Sequence, residues 1–241
     1  MYDLMHMCGR SSLTLTEKEL EKHFNASFYS DELERYNPLP NFNVAPSHVM
    51  PIIRSDDIHH FRPHRWGLIP FWAKDKNIGY KMINARSETV LQKNAFKKAM
   101  AQRRCLVPMD GYYEWQKQGK NKIPFRIQTK DQKAFMAAGL WERWKSPDGK
   151  EVFSFTILTQ NASPGIAHIH DRMPAILKQE HQMHWVDMDI KPEDVLSVVQ
   201  PYPDELLHFY QVSEEVNKVS NNRQDLIEEA KPPEGEQLSL L

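Results

Sequence analysis

Cysteine is scarce in this chain, and long apolar runs are missing. Among 241 residues there are two cysteines, Cys8 and Cys105, and neither lies in a Cys-x-x-Cys pair. Two cysteines cannot build a disulfide framework, so the pattern favours thiol chemistry over covalent stapling. No apolar run approaches the roughly 18 residues of a membrane span, and residues 1–7 lack the charged start and apolar stretch of a secretory signal. These absences predict a cytoplasmic protein without a membrane partner.

The chain also has little net charge, but its charges are unevenly distributed. The formal net charge is -1, with 40% hydrophobic and 10% aromatic residues, which fits a packed core. Residues 214–236 hold seven acidic and three basic side chains, which leaves the remainder at +3. Solvated surface charge explains this balance on its own. A mildly cationic body nevertheless permits a local phosphate-binding face.

Cys8 stands one residue after a methionine that could start the chain. If translation begins at Met7 and that methionine is removed, Cys8 presents a free α-amine beside its thiol. Such a 1,2-aminothiol can condense with an aldehyde through nitrogen and close a five-membered ring through sulfur. Residues 1–6 are then either a leader or a misassigned start, since the amine is blocked while they remain.

The hydrophobic pattern predicts an α+β fold. Thr16 and Glu19 form a capping-box signature for a helix over residues 16–23, and a second helix is predicted over 87–102 with a break near Asn94. Between 106 and 159 the period changes to two, which predicts consecutive antiparallel strands in a curved, barrel-like sheet. Helices at 181–187 and 192–199 and a strand at 207–212 complete one domain, 7–226. A flexible acidic tail is predicted over 227–241.

Several polar residues lie where apolar packing would be easier. Glu114 is set among aromatic residues on a predicted strand, where burial would raise its pKa and suit proton transfer. His170 is a candidate general acid or base. Asn84 and Arg86 alternate along extended chain and so share one face, which could orient a phosphate or a carbonyl oxygen. The structural alternatives are a rim carboxylate, a hydrogen-bonded histidine and a helix cap.

The eleven histidines raise the alternative of a metal site. His168 with His170, or His181 with His184, could be paired ligands, and the cluster of three between 59 and 64 adds to the count. The sequence contains neither a Cys-x-x-Cys nor a His-Glu-x-x-His motif, and eleven histidines produce close pairs by chance. We therefore expect no metal and no cofactor.

Six short motifs, taken in order, resemble the SRAP (SOS response-associated peptidase) family, whose members crosslink to abasic sites in single-stranded DNA. The resemblance runs from Met7 to about Asn222. The matching segments are residues 7–10 (MCGR), 43–46 (NVAP), 65–70 (RWGLIP), 84–89 (NARSET), 111–115 (GYYEW) and 170–174 (HDRMP).

The resemblance implies roles for individual residues. It implies that Cys8 is the mature N-terminus and that Asn84, Glu114 and His170 complete the active site. It further implies that Arg10 and Arg86 hold DNA phosphates and that Trp66 belongs to a segment that wedges beside bases; the alternative for Trp66 is a place in the core of the sheet.

The implied reaction is a covalent thiazolidine crosslink between Cys8 and the ring-opened sugar aldehyde, with strand cleavage by β-elimination as an associated activity. Two other functions stay open at this stage. One is a thiol autopeptidase or N-terminal nucleophile hydrolase that cuts after Met7. The other is a noncatalytic module that binds single-stranded DNA and in which Cys8 has no chemical role.

The chain ends in a short motif with spaced apolar anchors, formed by Gln237, Leu238, Ser239, Leu240 and Leu241. It resembles the peptides by which bacterial proteins bind the replication sliding clamp, although Leu241 replaces the usual Phe. The prediction is thus a monomeric protein of the nucleoid that binds abasic single-stranded DNA and, through its tail, the clamp.

Overall fold

The computed structural model describes residues 8–230 and shows a mixed α+β domain. Its helices are α1 (Glu17–Phe24), α2 (Asn94–Gln102), α3 (Gln179–Val186) and α4 (Pro192–Val195). Its strands are β1 (Ser11–Leu13), β2 (Ser27–Phe28), β3 (Asn41–Val44), β4 (Val49–Arg54), β5 (Asp57–Trp66), β6 (Asn84–Arg86), β7 (Arg104–Met109), β8 (Gly111–Gln118), β9 (Asn121–Thr129), β10 (Phe135–Lys145), β11 (Glu151–Asn161), β12 (Arg172–Pro174), β13 (Ile176–Leu177) and β14 (Leu207–Gln211). None of the helices in residues 8–230 is long and apolar enough to cross a membrane.

A closed barrel of five strands forms the centre of the domain. The strands follow the order β5, β4, β7, β10 and β11, and the parallel pairing of β11 with β5 closes the ring. Closure leaves no free edge between these strands. Gly139 of β10 permits the close approach of its neighbours, since a Cβ there would lie 2.7 Å from Val107 and 2.9 Å from the Cys105 sulfur. The predicted barrel-like, mostly antiparallel sheet is confirmed.

A second sheet, entirely antiparallel, carries the N-terminal part of the described chain. Its strand order is β14, β9, β8, β1 and β3. Buried Asp110, between β7 and β8, accepts hydrogen bonds from the Ser12 hydroxyl at 2.6 Å and from the Thr14 hydroxyl at 2.6 Å. Arg126 pairs with the same carboxylate at 3.1 Å. These contacts fix β1 beside β8, and Cys8 lies just before β1.

Local sequence signals explain some boundaries, and tertiary contacts override others. The capping box of Thr16 and Glu19 is present at the start of α1, as predicted. The predicted helix over 87–102 is wrong in its first half, because only Asn94–Gln102 is helical. The Ser87 N–H instead donates to the Thr159 carbonyl, and Glu88 pairs with Arg172, so residues 87–93 form turns.

Candidate active site

Cys8, Asn84 and Glu114 meet in one buried site between the barrel and the second sheet. Cys8 is 2% exposed and Glu114 is 2% exposed. The Asn84 amide donates to the Cys8 carbonyl at 2.9 Å, and the Cys8 thiol donates to the Glu114 carboxylate. Asn84 is placed by β6, which pairs in parallel with β11. Three segments far apart in sequence therefore surround the sulfur.

Burial determines the protonation of this pair. It raises the pKa of Glu114 to about 8; the thiol hydrogen bond opposes that rise, and the charge of Asp171 adds to it. Burial also raises the pKa of the Cys8 thiol well above its usual value, and the neighbouring Glu114 raises it further. At neutral pH the site therefore holds a protonated carboxyl beside a neutral thiol. Such a carboxyl can donate a proton to a leaving water and then accept one from sulfur.

His170 borders this site from the loop between β11 and β12. Its side chain is 14% exposed. The Arg172 backbone N–H donates to Nδ1 at 3.0 Å, so Nδ1 is an acceptor and the neutral ring carries its hydrogen on Nε2. The exposed carboxylate of Asp171 lies 3.3 Å from the same nitrogen. This arrangement leaves Nε2 as the ring nitrogen that can donate a hydrogen bond.

Arg172 and Glu88 form a rigid ion pair beside the site that the residue patterns did not single out. Arg172 is 6% exposed and donates through both terminal nitrogens to Glu88, at 2.7 and 2.9 Å. It also donates to the Thr159 carbonyl at 2.8 Å. Its charge acts on Cys8 and lowers the thiol pKa, although burial outweighs this effect. Both residues belong to motifs recognised in the sequence, but the sequence does not show that they pair with each other.

The three residues predicted to contact DNA, which are Arg10, Trp66 and Arg86, differ in how buried they are. Arg86 is exposed at the end of β6. Arg10 is partly buried and donates to the Asn43 side chain at 2.7 Å and to the Val216 carbonyl at 2.6 Å, which joins β1 to the C-terminal segment. A phosphate contact by either arginine stays a prediction.

Trp66 requires a correction, because it lies in the core and not at a surface where bases could stack. It is 1% exposed, stacks on Phe155, and donates from its indole to the Ile83 carbonyl at 2.9 Å. Ile83 directly precedes Asn84, so Trp66 positions the strand that carries an active-site amide. The sequence pattern of a tryptophan before a glycine does not show whether the indole points into the core or toward solvent.

Exposed aromatic residues follow Trp66 by a few positions. Phe71 and Trp72 are 47% and 50% exposed, and the Lys98 ammonium lies 4.2 Å from the centroid of the Phe71 ring. Gly67 directs the chain into this segment with φ of +112°, and a Cβ there would lie 2.6 Å from the Gly79 carbonyl oxygen. A basic and aromatic surface of this kind can stack unpaired bases.

A groove of about 450 Å³ has His170 in its lining. Lys117 and Lys122, from the hairpin of β8 and β9, line it together with His168 and Asp171. Its basic side chains match the charge of a phosphate backbone. In residues 8–230 no group of three or more His, Cys, Asp or Glu side chains could hold a metal ion.

Comparisons with known proteins agree on one family. The sequence model of the family "SOS response associated peptidase (SRAP)" matches residues 7–219. The chain is 41% identical to the abasic site processing protein YoqW of Bacillus subtilis, over 92% of this chain and 99% of that protein. It is 31% identical to the abasic site processing protein HMCES of Xenopus tropicalis, over 90% and 76% of the two chains.

Solved structures show the same fold. A protein from Bacteroides thetaiotaomicron superposes with a TM-score of 0.87 at 28% identity, over 93% of this chain and all of the other. A protein from Bordetella bronchiseptica superposes with a TM-score of 0.71 at 26% identity, over 86% of this chain and all of the other.

Proposed function

The chain belongs to the SOS response associated peptidase family, and from this membership we propose that it processes abasic sites in single-stranded DNA by forming a covalent thiazolidine with Cys8. The observation that carries the proposal is the buried contact between the Cys8 thiol and Glu114, whose pKa is raised to about 8. The names of the relatives support the same lesion as substrate, since YoqW and HMCES are abasic site processing proteins.

The reaction begins with the sugar. As the abasic deoxyribose opens to its aldehyde, the C1′ hydroxyl loses its proton and O4′ gains one, and the His170 ring relays this proton by giving one to O4′ and taking one from the hydroxyl. The α-amine of Cys8, with a pKa of ~8, is about one-tenth neutral at pH 7 and attacks C1′. Glu114 gives its proton to the departing hydroxyl, so that one water leaves and an imine forms. Asn84 holds the Cys8 carbonyl during this step.

Ring closure then uses the thiol. The Sγ–C1′ bond forms, the π electrons of the imine move to nitrogen, and the thiol proton passes through Glu114 to that nitrogen. The net change is aldehyde plus aminothiol to thiazolidine plus water, without an oxidant or reductant. Loss of a C2′ proton from the imine would instead cleave the strand at the 3′ side by β-elimination.

The amine must be free for this chemistry. Residues 1–7 precede Cys8 in the sequence, and the family match begins at residue 7. We expect translation from Met7 with removal of that methionine, or cleavage after Met7. Intact mass of the protein purified from its host measures this directly, because a retained segment of seven residues is easily resolved.

One experiment tests the proposed reaction. The protein and its Cys8→Ala variant are incubated with single-stranded oligonucleotides, intact or with one abasic site, and separated under denaturing conditions. We expect a shifted band only when the wild-type protein is combined with the oligonucleotide that contains the abasic site. Cys105→Ala is the matched control, since that thiol lies in the barrel, 0% exposed, and its loss should leave the band in place.

Two other outcomes identify the alternative functions. Cleavage of a peptide that spans residues 5–10, without any crosslink, would support the autopeptidase. A shift that disappears on denaturation and does not depend on Cys8 would support the noncatalytic binding module. Either result contradicts the proposed covalent reaction.

The segment that contains the exposed Phe71 and Trp72 is the DNA-binding surface in this proposal. We expect Trp72→Ala to weaken binding of intact single-stranded DNA by about 1–3 kcal/mol, the usual contribution of one base stacked on an aromatic ring. Met183→Ala, which also truncates an exposed apolar side chain, is the control. Fluorescence anisotropy measures both, and equal affinities for the two variants would remove Trp72 from the interface.

The clamp-binding prediction falls on Gln237, Leu238, Ser239, Leu240 and Leu241, which lie outside the described residues. It stays a proposal carried by the sequence motif. Pull-down with purified sliding clamp, using the full chain and a chain ending at Glu236, tests it. Equal recovery of the two proteins would refute it.

A further inference from the structure

Tyr112 brings a buried hydroxyl to the active site, and the reaction described above does not use it. The side chain is 1% exposed, and across residues 8–230 its hydroxyl has no hydrogen-bond partner. The charges of Cys8 and Glu114 both act on this phenol and, with burial as the main cause, raise its pKa. A buried hydroxyl without a partner destabilises a folded protein, so its presence beside a reactive centre indicates a ligand contact.

Strand geometry explains why Tyr112 is close to the reacting groups. Tyr112 and Glu114 lie two residues apart on β8 and so project from the same face. Ser11 pairs with Tyr112, and the Arg10 carbonyl accepts from the Tyr113 N–H at 2.9 Å. The segment leading from Cys8 into β1 therefore runs alongside this part of β8.

Two further polar atoms of the site lack partners in the described part of the chain. They are Oδ1 of Asn84 and Oε1 of Glu114. Together with the Tyr112 hydroxyl they form a group of buried polar atoms without partners around Cys8. An apolar ligand would leave all three unsatisfied, whereas an oxygen-rich sugar can satisfy them.

We propose that the Tyr112 hydroxyl donates a hydrogen bond to O4′ of the abasic deoxyribose, the oxygen that becomes a free hydroxyl when the sugar ring opens. This inference rests on the proposed function. O4′ is the one sugar oxygen that is not already bonded to phosphorus after C1′ has reacted, so it is the natural partner for a buried donor beside Cys8. Tyr112 is thus a positioning residue that favours the open deoxyribose over other aldehydes.

The test pairs a change in the protein with a change in the substrate. Rates of crosslinking at saturating DNA are measured for wild type, Tyr112→Phe and Tyr113→Phe. Each is given a natural abasic site and an acyclic aldehyde analogue that lacks the oxygen at C4′. Tyr113→Phe is the matched control, since that neighbouring hydroxyl donates to the Phe42 carbonyl at 2.7 Å on the other face of β8.

We expect Tyr112→Phe to slow crosslinking of the natural site by about five- to tenfold, the effect of losing one hydrogen bond, and to leave the rate with the analogue unchanged. Tyr113→Phe should leave the ratio of the two rates at the wild-type value. Equal slowing of both substrates by Tyr112→Phe, or no slowing of either, overturns the inference while the proposed function stands. Failure of the wild-type protein to crosslink the natural site overturns the proposed function and this inference with it.

Discussion

The two faces of β8 show how one strand serves both stability and chemistry. On the outer face, the Tyr113 hydroxyl donates to the Phe42 carbonyl at 2.7 Å, and the Trp115 indole donates to the Asn217 side chain at 2.7 Å. Both belong to a small apolar cluster with the C-terminal segment. On the inner face, the Tyr112 hydroxyl and Oε1 of Glu114 have no hydrogen-bond partner within the described chain.

This difference separates groups that stabilise the fold from groups that bind a substrate. A polar atom that is buried and satisfied adds to the free energy of unfolding, whereas one that is buried and unsatisfied subtracts from it. The inner face therefore retains an unfavourable arrangement in the unliganded protein. Such an arrangement is expected where a ligand completes the hydrogen bonds.

The strongest test of the comparison is to remove the ionisable group of the inner face. We expect Glu114→Gln to slow crosslinking by about a hundredfold, since the amide cannot give a proton to the departing water. Tyr113→Phe is the matched outer-face variant, and it should crosslink at the wild-type rate while melting at a lower temperature, because its hydroxyl donates to the Phe42 carbonyl. Single-turnover kinetics and thermal unfolding measure these effects. If Glu114→Gln crosslinked at the wild-type rate, Glu114 would not be the proton donor.

The same carboxyl predicts how stability changes with pH. The pKa of Glu114 is about 8 in the folded protein and near 4.5 in the unfolded chain. Below pH 4.5 both states hold the proton, and the group imposes no penalty. As pH rises further the unfolded chain releases the proton first, so the free energy of unfolding falls until the folded carboxyl also ionises near pH 8.

Denaturant unfolding of wild type and Glu114→Gln across pH 4 to 9 measures this contribution. The difference in the free energy of unfolding between the two proteins should reach a few kcal/mol, because each unit of pKa shift corresponds to roughly 1.4 kcal/mol. All of it should develop between the two pKa values. Parallel pH profiles would show that Glu114 ionises normally and would remove the distinction between the faces at this position.

The sequence was sufficient for parts of the fold that depend on local signals. The capping box at Thr16 marks the start of α1, and the alternation after residue 106 marks the strands β7 to β11, which divide between the barrel and the second sheet. It was insufficient where distant contacts decide. Residues 87–93 are not helical, because Glu88 pairs with Arg172, 84 positions away in sequence.

The candidate site shows the same division. Cys8, Asn84 and Glu114 were each candidates from the residue pattern, and the resemblance to a family implied that they share one site. The structure brings them together, and their catalytic roles stay predictions. Trp66 was misplaced, since no local pattern distinguishes an indole that donates to the Ile83 carbonyl from one that faces solvent. The role of the Tyr112 hydroxyl could not be predicted from the sequence, because only the folded structure shows that this buried hydroxyl has no hydrogen-bond partner within the described residues.

The smallest expected effect compares two adjacent tyrosines that differ in one hydrogen bond. Tyr113→Phe should lower the free energy of unfolding by about 1 kcal/mol, because the Phe42 carbonyl loses its donor. Tyr112→Phe should leave stability unchanged or raise it by up to about 1 kcal/mol, because a buried hydroxyl without a partner is removed. Chemical denaturation at one pH measures both, and the diagnostic result is that only Tyr113→Phe lowers the free energy of unfolding. If both variants were destabilised equally, the inner hydroxyl would have a structural partner, and the two faces of β8 would not differ in function.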